Sequence, residues 1–85
     1  MNPEKILRKI LEGNKNIRFE EMIALVKAYG FNLSRISGSH HIFVNQEINQ
    51  IINLQKVKGK SKPYQVNQFI KIIERYNLNM KKDGE

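Results

Sequence analysis

Two adjacent histidines are the side chains of this sequence best suited to proton transfer. His40 and His41 are its only histidines, and they directly follow Gly38 and Ser39. Imidazole ordinarily titrates near pH 6.5, so it can take up and release protons at neutral pH. In a basic chain, a histidine pair beside a Gly-Ser turn indicates acid–base chemistry on a phosphodiester, with His40 as the candidate general acid or base. The alternative is that His40 is a strand-edge residue bonded only to backbone.

A second candidate is the lysine-rich segment 56–62, which contains no acidic residue. Its lysines can neutralise phosphates, and a helix starting near Pro63 would add free backbone N–H groups for one more phosphate. The alternative is a solvated loop. The candidate RNA-binding side chains are Lys56, Lys58, Lys60 and Lys62, with Tyr64 for stacking or hydrogen bonding and Arg35 for transition-state charge.

Metal and cofactor chemistry are not expected. Side chains alternate along a strand, so His40 and His41 lie on opposite faces and cannot chelate one ion. We expect one of the two to be half-buried and the other open. With no cysteine in the sequence, neither a thiolate zinc site nor a disulfide framework is available.

Composition indicates one small domain that attracts polyanions. The chain has 85 residues, a net charge of +7 and a pI of about 9.9, which makes nucleic acid the first partner to consider. No run approaches the roughly 20 apolar residues of a membrane span. Without an apolar signal segment, a cytoplasmic protein is expected.

Periodicity predicts the elements that must position these residues. Apolar residues recur at helical spacing after Asn2-Pro3, before Gly30 and after Pro63. From Phe31 onward they instead alternate with polar residues, which is typical of a strand. The prediction is helices at 3–11, 19–29 and 63–78, strands at 31–36, 40–45 and 50–55, and a loop at 56–62. This is an α+β fold in which helices cover one face of a three-stranded antiparallel sheet. The single domain 1–85 divides into an N-terminal helical extension (1–16), a core (17–78) and a flexible tail (79–85).

The sequence resembles a known family at four places. These are Tyr29-Gly30-Phe31, Arg35 to Phe43 with its Gly-Ser-His-His-x-Phe motif, Ile51 to Leu54, and Lys58 to Leu78. Over residues 19–78 the chain resembles the HicA-type toxins of bacterial toxin–antitoxin pairs. It departs from them in the preceding helix and in the connection 45–50, which replaces a His-Pro-Asp-Gly-like turn.

The resemblance implies a double-stranded-RNA-binding-domain-like fold, ribosome-independent mRNA cleavage and neutralisation by a small acidic HicB-type antitoxin. The family's essential histidine corresponds to His40, as general base on the RNA 2′-hydroxyl or general acid at the leaving 5′-oxygen. His41 points away, so a lysine of segment 56–62 or a water is expected to complete the site. A non-catalytic RNA-binding module of the same fold is the alternative. A helix-turn-helix regulator built on residues 3–11 and 18–29 is disfavoured by the strands that follow.

Overall fold

Three helices and a four-stranded antiparallel sheet make up the computed structural model, which describes residues 1–81. The elements are α1 (Pro3–Leu11), α2 (Phe19–Ala28), β1 (Asn32–Ser37), β2 (His40–Asn45), β3 (Gln50–Val57), β4 (Lys60–Ser61) and α3 (Pro63–Tyr76). The strands lie in the order β1-β2-β3-β4. The predicted α+β class is confirmed, with β4 as a short fourth strand that the sequence did not predict.

The core lies between the helices and one face of the sheet. Its fully buried side chains come from α2, α3, the strands and the segments that join them: Ile17, Met22, Leu25, Val26, Phe31, Phe43, Ile52, Leu54 and Phe69. Helix α1 adds Ile6 to this cluster. Its first turn is capped by Asn2, whose side-chain oxygen accepts a hydrogen bond from the Glu4 N–H at 3.0 Å, and Pro3 occupies the first helical position.

The register of the sheet sets the two faces of β2. Because cross-strand partners share a face, His40 lies on the same side as its neighbours Ser37 and Gln55. Phe43 and Asn45 are buried on the opposite, helix-covered side. We call the side without helices the open face; it carries Arg35, Ser37, His40, Ile42, Asn53, Gln55 and Lys60.

The segment 56–62 is not the loop that the sequence predicts. Lys56 and Val57 end β3, and the chain reverses through Lys58 and Gly59, whose φ angles are 51° and 79°. Positive φ at both central residues is typical of the turn that closes a tight β-hairpin. The turn is fixed from outside as well, because the Phe19 N–H donates to the Gly59 carbonyl at 3.0 Å. We call residues 56–62 the lysine hairpin.

The Tyr29-Gly30-Phe31 segment is a tight junction between α2 and β1. Gly30 has a φ of 90°, and a Cβ on it would lie 3.3 Å from the side-chain nitrogen of Asn45. That nitrogen donates to the Tyr29 carbonyl at 3.1 Å. The backbone conformation therefore favours glycine here, and a Cβ would also crowd the Asn45 amide.

The residues that follow α3 pack against the domain. Met80 packs on the core, and the Lys81 N–H donates to the Ala28 carbonyl at 2.7 Å. Met80 and Lys81, which belong to the predicted tail, therefore contact the domain, and residues 82–85 of that tail lie outside the described part. Within residues 1–81, no helix is both long and apolar enough to cross a membrane.

Candidate functional site

His40 lies at the first position of β2, directly after the Gly38-Ser39 turn. Gly38 has a φ of 60°, a conformation that costs other residues strain. The His40 side chain is half-buried on the open face. Its Nδ1 lies 3.1 Å from Nδ2 and 3.3 Å from Oδ1 of Asn53, while Nε2 has no hydrogen-bond partner within residues 1–81. One ring nitrogen is therefore held by the protein and the other is available.

His41 lies on the opposite face and contacts the helix layer. Its Nδ1 is 3.4 Å from the Ser39 carbonyl oxygen, and its ring meets the Phe19 ring edge-on with centroids 4.8 Å apart. The expectation that one histidine is open is wrong, since both are half-buried. The physical reason is that Phe19, the first residue of α2, covers His41, while the neighbouring strands flank His40.

Two cations share the open face with His40. Arg35 lies opposite Ile42, two pairs along the ladder from the Ser37–His40 pair, and Lys60 lies opposite Val57. Both side chains are exposed. Diagonal neighbours on one sheet face are within reach of long side chains, and Arg35 is such a neighbour of His40. Lys60 lies on the same face but two strands away from His40, on the far side of β3. Arg18 pairs with Lys60 through an isolated bridge and adds a third exposed cation at this edge.

The other lysines of the hairpin do not join this face. Lys56 lies on the helix-covered side, where its Nζ is 3.8 Å from a Glu20 carboxylate oxygen and 5.9 Å from the centre of the Phe19 ring. Lys58 is exposed at the tip of the turn. Lys62 is half-buried at the start of α3, with its Nζ 5.8 Å from the ring centre of the exposed Tyr64. The lysines that the sequence groups into one phosphate-binding segment therefore lie on two sheet faces, at a turn and at a helix end.

Two polar residues that the sequence did not single out support the site. Asn53 contacts His40, and Gln65 accepts a hydrogen bond from the Gln55 N–H at 2.7 Å. Gln65 is buried and continues the pairing of β3 where β4 has ended. Asparagine is uncommon in strands, so its presence between the apolar residues Ile52 and Leu54 is the sequence feature that could have drawn attention to Asn53.

A scan against family models identifies the chain. Residues 19–74 match the model described as HicA toxin of bacterial toxin-antitoxin. The chain belongs to the HicA toxin family. The match runs from the first residue of α2 into α3, so it includes both histidines and the lysine hairpin, and α1 lies outside it.

The HicA family assignment confirms the resemblance that the sequence predicts. It makes the chain a toxin of a toxin–antitoxin pair, which implies an antitoxin partner. Searches of curated proteins and of solved structures find no significant match. Within the described residues, no three His, Asp or Glu side chains are close enough together to hold a metal ion.

Proposed function

We propose that this HicA-family toxin is an endoribonuclease that cleaves mRNA without a metal ion, with His40 as its general acid/base. The observation that carries the proposal is the difference between the contacts of the two ring nitrogens of His40. Nδ1 is held by Asn53, Nε2 is available, and the exposed cations Arg35 and Lys60 share the same open face. A positioned imidazole beside cations matches the needs of phosphodiester cleavage.

The reaction uses a nucleophile that RNA itself supplies. Nε2 of His40 accepts the proton of the 2′-hydroxyl as the 2′-oxygen forms a bond to phosphorus. The bond from phosphorus to the 5′-oxygen then breaks, and this oxygen leaves with the electron pair and takes a proton from His40 or water. The products are a 2′,3′-cyclic phosphate and a 5′-hydroxyl. A positioned acid/base group typically contributes about 10²–10⁴ in rate.

The cations have separable roles. We assign to Arg35, the diagonal neighbour of His40, and to Lys60, further across the same face, the stabilisation of negative charge that develops on the phosphorus oxygens in the transition state. Lys58 and Lys62 lie further along the lysine hairpin, where they can bind flanking phosphates. Lys56 is directed toward Glu20 and Phe19, so we assign it a smaller part in RNA binding than the sequence suggests.

The partner follows from the family and from charge. We propose a small acidic HicB-type antitoxin that covers His40 and the lysine hairpin, because a surface of opposite charge accelerates encounter with a protein of net charge +7.

The test is cleavage of one unstructured RNA by wild type and His40→Ala in EDTA. We expect wild type to yield 2′,3′-cyclic phosphate ends and the variant to be inactive. DNA of the same sequence, and RNA with a 2′-deoxy residue at the cleaved position, should both stay intact. Products with 5′-phosphates, or a wild-type rate for His40→Ala, would contradict the mechanism. Salt-dependent RNA binding by wild type without any cleavage would favour the non-catalytic RNA-binding module instead.

A further inference from the structure

The side chain of Asn53 is the only side-chain hydrogen-bond partner of His40 within residues 1–81, and both ends of its amide are near the same ring nitrogen. Nδ2 of Asn53 is 3.1 Å and Oδ1 is 3.3 Å from His40 Nδ1. The amide nitrogen donates hydrogen bonds and the amide oxygen accepts them. A modest rotation about the broad terminal torsion of asparagine therefore exchanges a donor for an acceptor at Nδ1.

We propose that Asn53 is a positioning residue that supports both protonation states of the His40 ring and thereby lets Nε2 act alternately as base and acid. This inference rests on the proposed endoribonuclease function. When Nδ2 donates to an unprotonated Nδ1, the proton of the neutral ring is on Nε2. When Oδ1 accepts from a protonated Nδ1, Nε2 either has a free lone pair or, in the imidazolium, carries a proton to give away.

The location of Asn53 suits this role. It lies in the middle of β3 between the buried residues Ile52 and Leu54, so its backbone is fixed by pairing with β2 and by the core. It lies opposite Ile42 and diagonal to His40, where its short side chain reaches the ring but is itself half-buried. A site on a rigid strand holds a reacting group more accurately than one on a loop.

Such a partner is needed for the route in which His40 takes the 2′-hydroxyl proton and returns it to the 5′-oxygen. Once Nε2 has taken the 2′-hydroxyl proton, the ring is an imidazolium whose Nδ1–H needs an acceptor, which Oδ1 of Asn53 provides. As the ring returns its Nε2 proton, Nδ1–H keeps that acceptor and Nε2 regains its lone pair for the next cycle. Oδ1 of Asn53 therefore serves as the acceptor in both steps, whereas the Nδ2 contact corresponds to the Nε2–H tautomer, in which Nε2 cannot take up a proton.

The experiment compares Asn53→Ala and Asn53→Asp with the matched control Asn32→Ala. Asn32 is an exposed asparagine opposite Val44 on the same open face, away from His40. The ¹⁵N NMR shifts of the two His40 ring nitrogens report which nitrogen carries the proton. We expect Asn53→Ala to change the neutral tautomer ratio and to lower kcat about ten- to a hundredfold, by analogy with the loss seen when the hydrogen-bond partners of metal-binding histidines are removed. KM should be unchanged.

Asn53→Asp gives an independent prediction. A carboxylate can only accept, so it holds the proton on Nδ1 and favours the imidazolium. The ring should stay in the Nδ1–H form when neutral, cleavage should be partly restored relative to Asn53→Ala, and the pH profile of kcat should move to higher pH. The Asn32→Ala control should match wild type in each measurement.

The outcomes separate this inference from the function on which it rests. Unchanged His40 ring shifts in Asn53→Ala, or a raised KM with a wild-type kcat, would overturn the positioning role even where His40→Ala is inactive. A wild-type rate for His40→Ala would overturn the proposed function and the inference together. Thermal unfolding of each variant establishes that the compared proteins are folded.

Discussion

The two histidines differ in what holds their Nδ1 atoms. That of His40 contacts a side-chain amide, whereas that of His41 contacts the Ser39 backbone carbonyl, which also accepts the Lys56 N–H at 3.1 Å. His41 thus ties the Gly-Ser turn to β3 and to α2 through Phe19. At this scale, the proposed catalytic histidine is held by a side-chain amide, and its neighbour contacts the turn that precedes both.

A pair of variants at position 41 tests this division. His41→Ala removes the ring contact with Phe19 and the hydrogen bond to Ser39, so we expect a decrease of about 1–2 kcal/mol in unfolding free energy and a cleavage rate within about tenfold of wild type. His41→Phe keeps an aromatic ring against Phe19 and should recover part of the stability. Urea unfolding and RNA cleavage provide both measurements. A folded His41→Phe protein without cleavage activity would instead place His41 in the chemistry.

How far the sequence predicts the site depends on the residue. The motif from Gly38 to Phe43 is local, so the sequence alone is enough to select His40 as a candidate. The proposed role of Asn53 could not be predicted, since it depends on the register that pairs His40 with Gln55 and so places Asn53 diagonally across from it. Strand register is a tertiary property fixed by packing and turns.

At the scale of elements, helix α1 is attached to α2 by an ion pair as well as by apolar packing. The Lys9 Nζ lies 3.0 Å from a carboxylate oxygen of Glu21, which also accepts the Arg18 N–H at 2.9 Å. Burial raises the pKa of Glu21, but the Arg18 hydrogen bond and the Lys9 ammonium lower it, and the net result is a pKa below the usual 4.5. Glu21 therefore stabilises the fold when ionised.

The sign of this shift predicts a pH dependence. A carboxyl whose pKa is lower in the folded state contributes stability above its unfolded pKa, and the contribution disappears as pH falls through the folded value. We expect Glu21→Gln to lower Tm at pH 7 and the difference from wild type to shrink below about pH 4. Glu20→Gln, at the exposed neighbouring carboxylate, is the control and should show a smaller effect at every pH. A Tm difference for Glu21→Gln that is constant from about pH 7 to about pH 3 would contradict the assignment.

The strands show where sequence periodicity fails. Alternation from Phe31 places Leu33 and Arg35 on one face, yet an irregularity between them pairs Leu33 with Phe43 and Arg35 with Ile42, on opposite faces. A β-bulge adds one residue and reverses the alternation beyond it. In the same way, four lysines concealed the strand at Lys60-Ser61, which pairs with the end of β3. The Ser61 N–H also donates to the Ile17 carbonyl at 3.0 Å. Both features depend on how strands pair, whereas the helices have local start and stop signals.

The lysine hairpin gives a prediction about RNA affinity. Replacing Lys58, Lys60 and Lys62 together by Gln should weaken RNA binding and reduce the log–log salt slope by about 0.7 for each phosphate that a lysine no longer neutralises. The matched control replaces three exposed lysines elsewhere, Lys5, Lys27 and Lys71, and changes net charge by the same amount. If both triple variants reduce the slope equally, the hairpin acts through general charge and does not bind phosphates at defined positions.

Over the whole molecule, composition and motif were enough for the fold class and the family. A net charge of +7 in 85 residues indicated polyanions, and the family match confirmed the resemblance. The distribution of that charge needed the structure. Arg35 and Lys60 share the open face with His40, whereas Lys56 is paired with Glu20 on the other side. A partner that silences the toxin by covering its site must therefore approach from the open face.

This geometry predicts how the proposed antitoxin acts. An acidic protein seated over Arg35, His40 and Lys60 would exclude RNA, so RNA and antitoxin should compete, and antitoxin association should slow as ionic strength rises because complementary charge steers encounter.

Diethyl pyrocarbonate modification, located by mass spectrometry, provides the measurement. In the free toxin His40 should react, and in the complex it should be protected. His41 serves as the internal reference, since it lies beneath Phe19 on the opposite face and its reactivity should change less. Equal His40 reactivity in the free and bound toxin, with cleavage still inhibited, would show that the antitoxin acts without covering the open face.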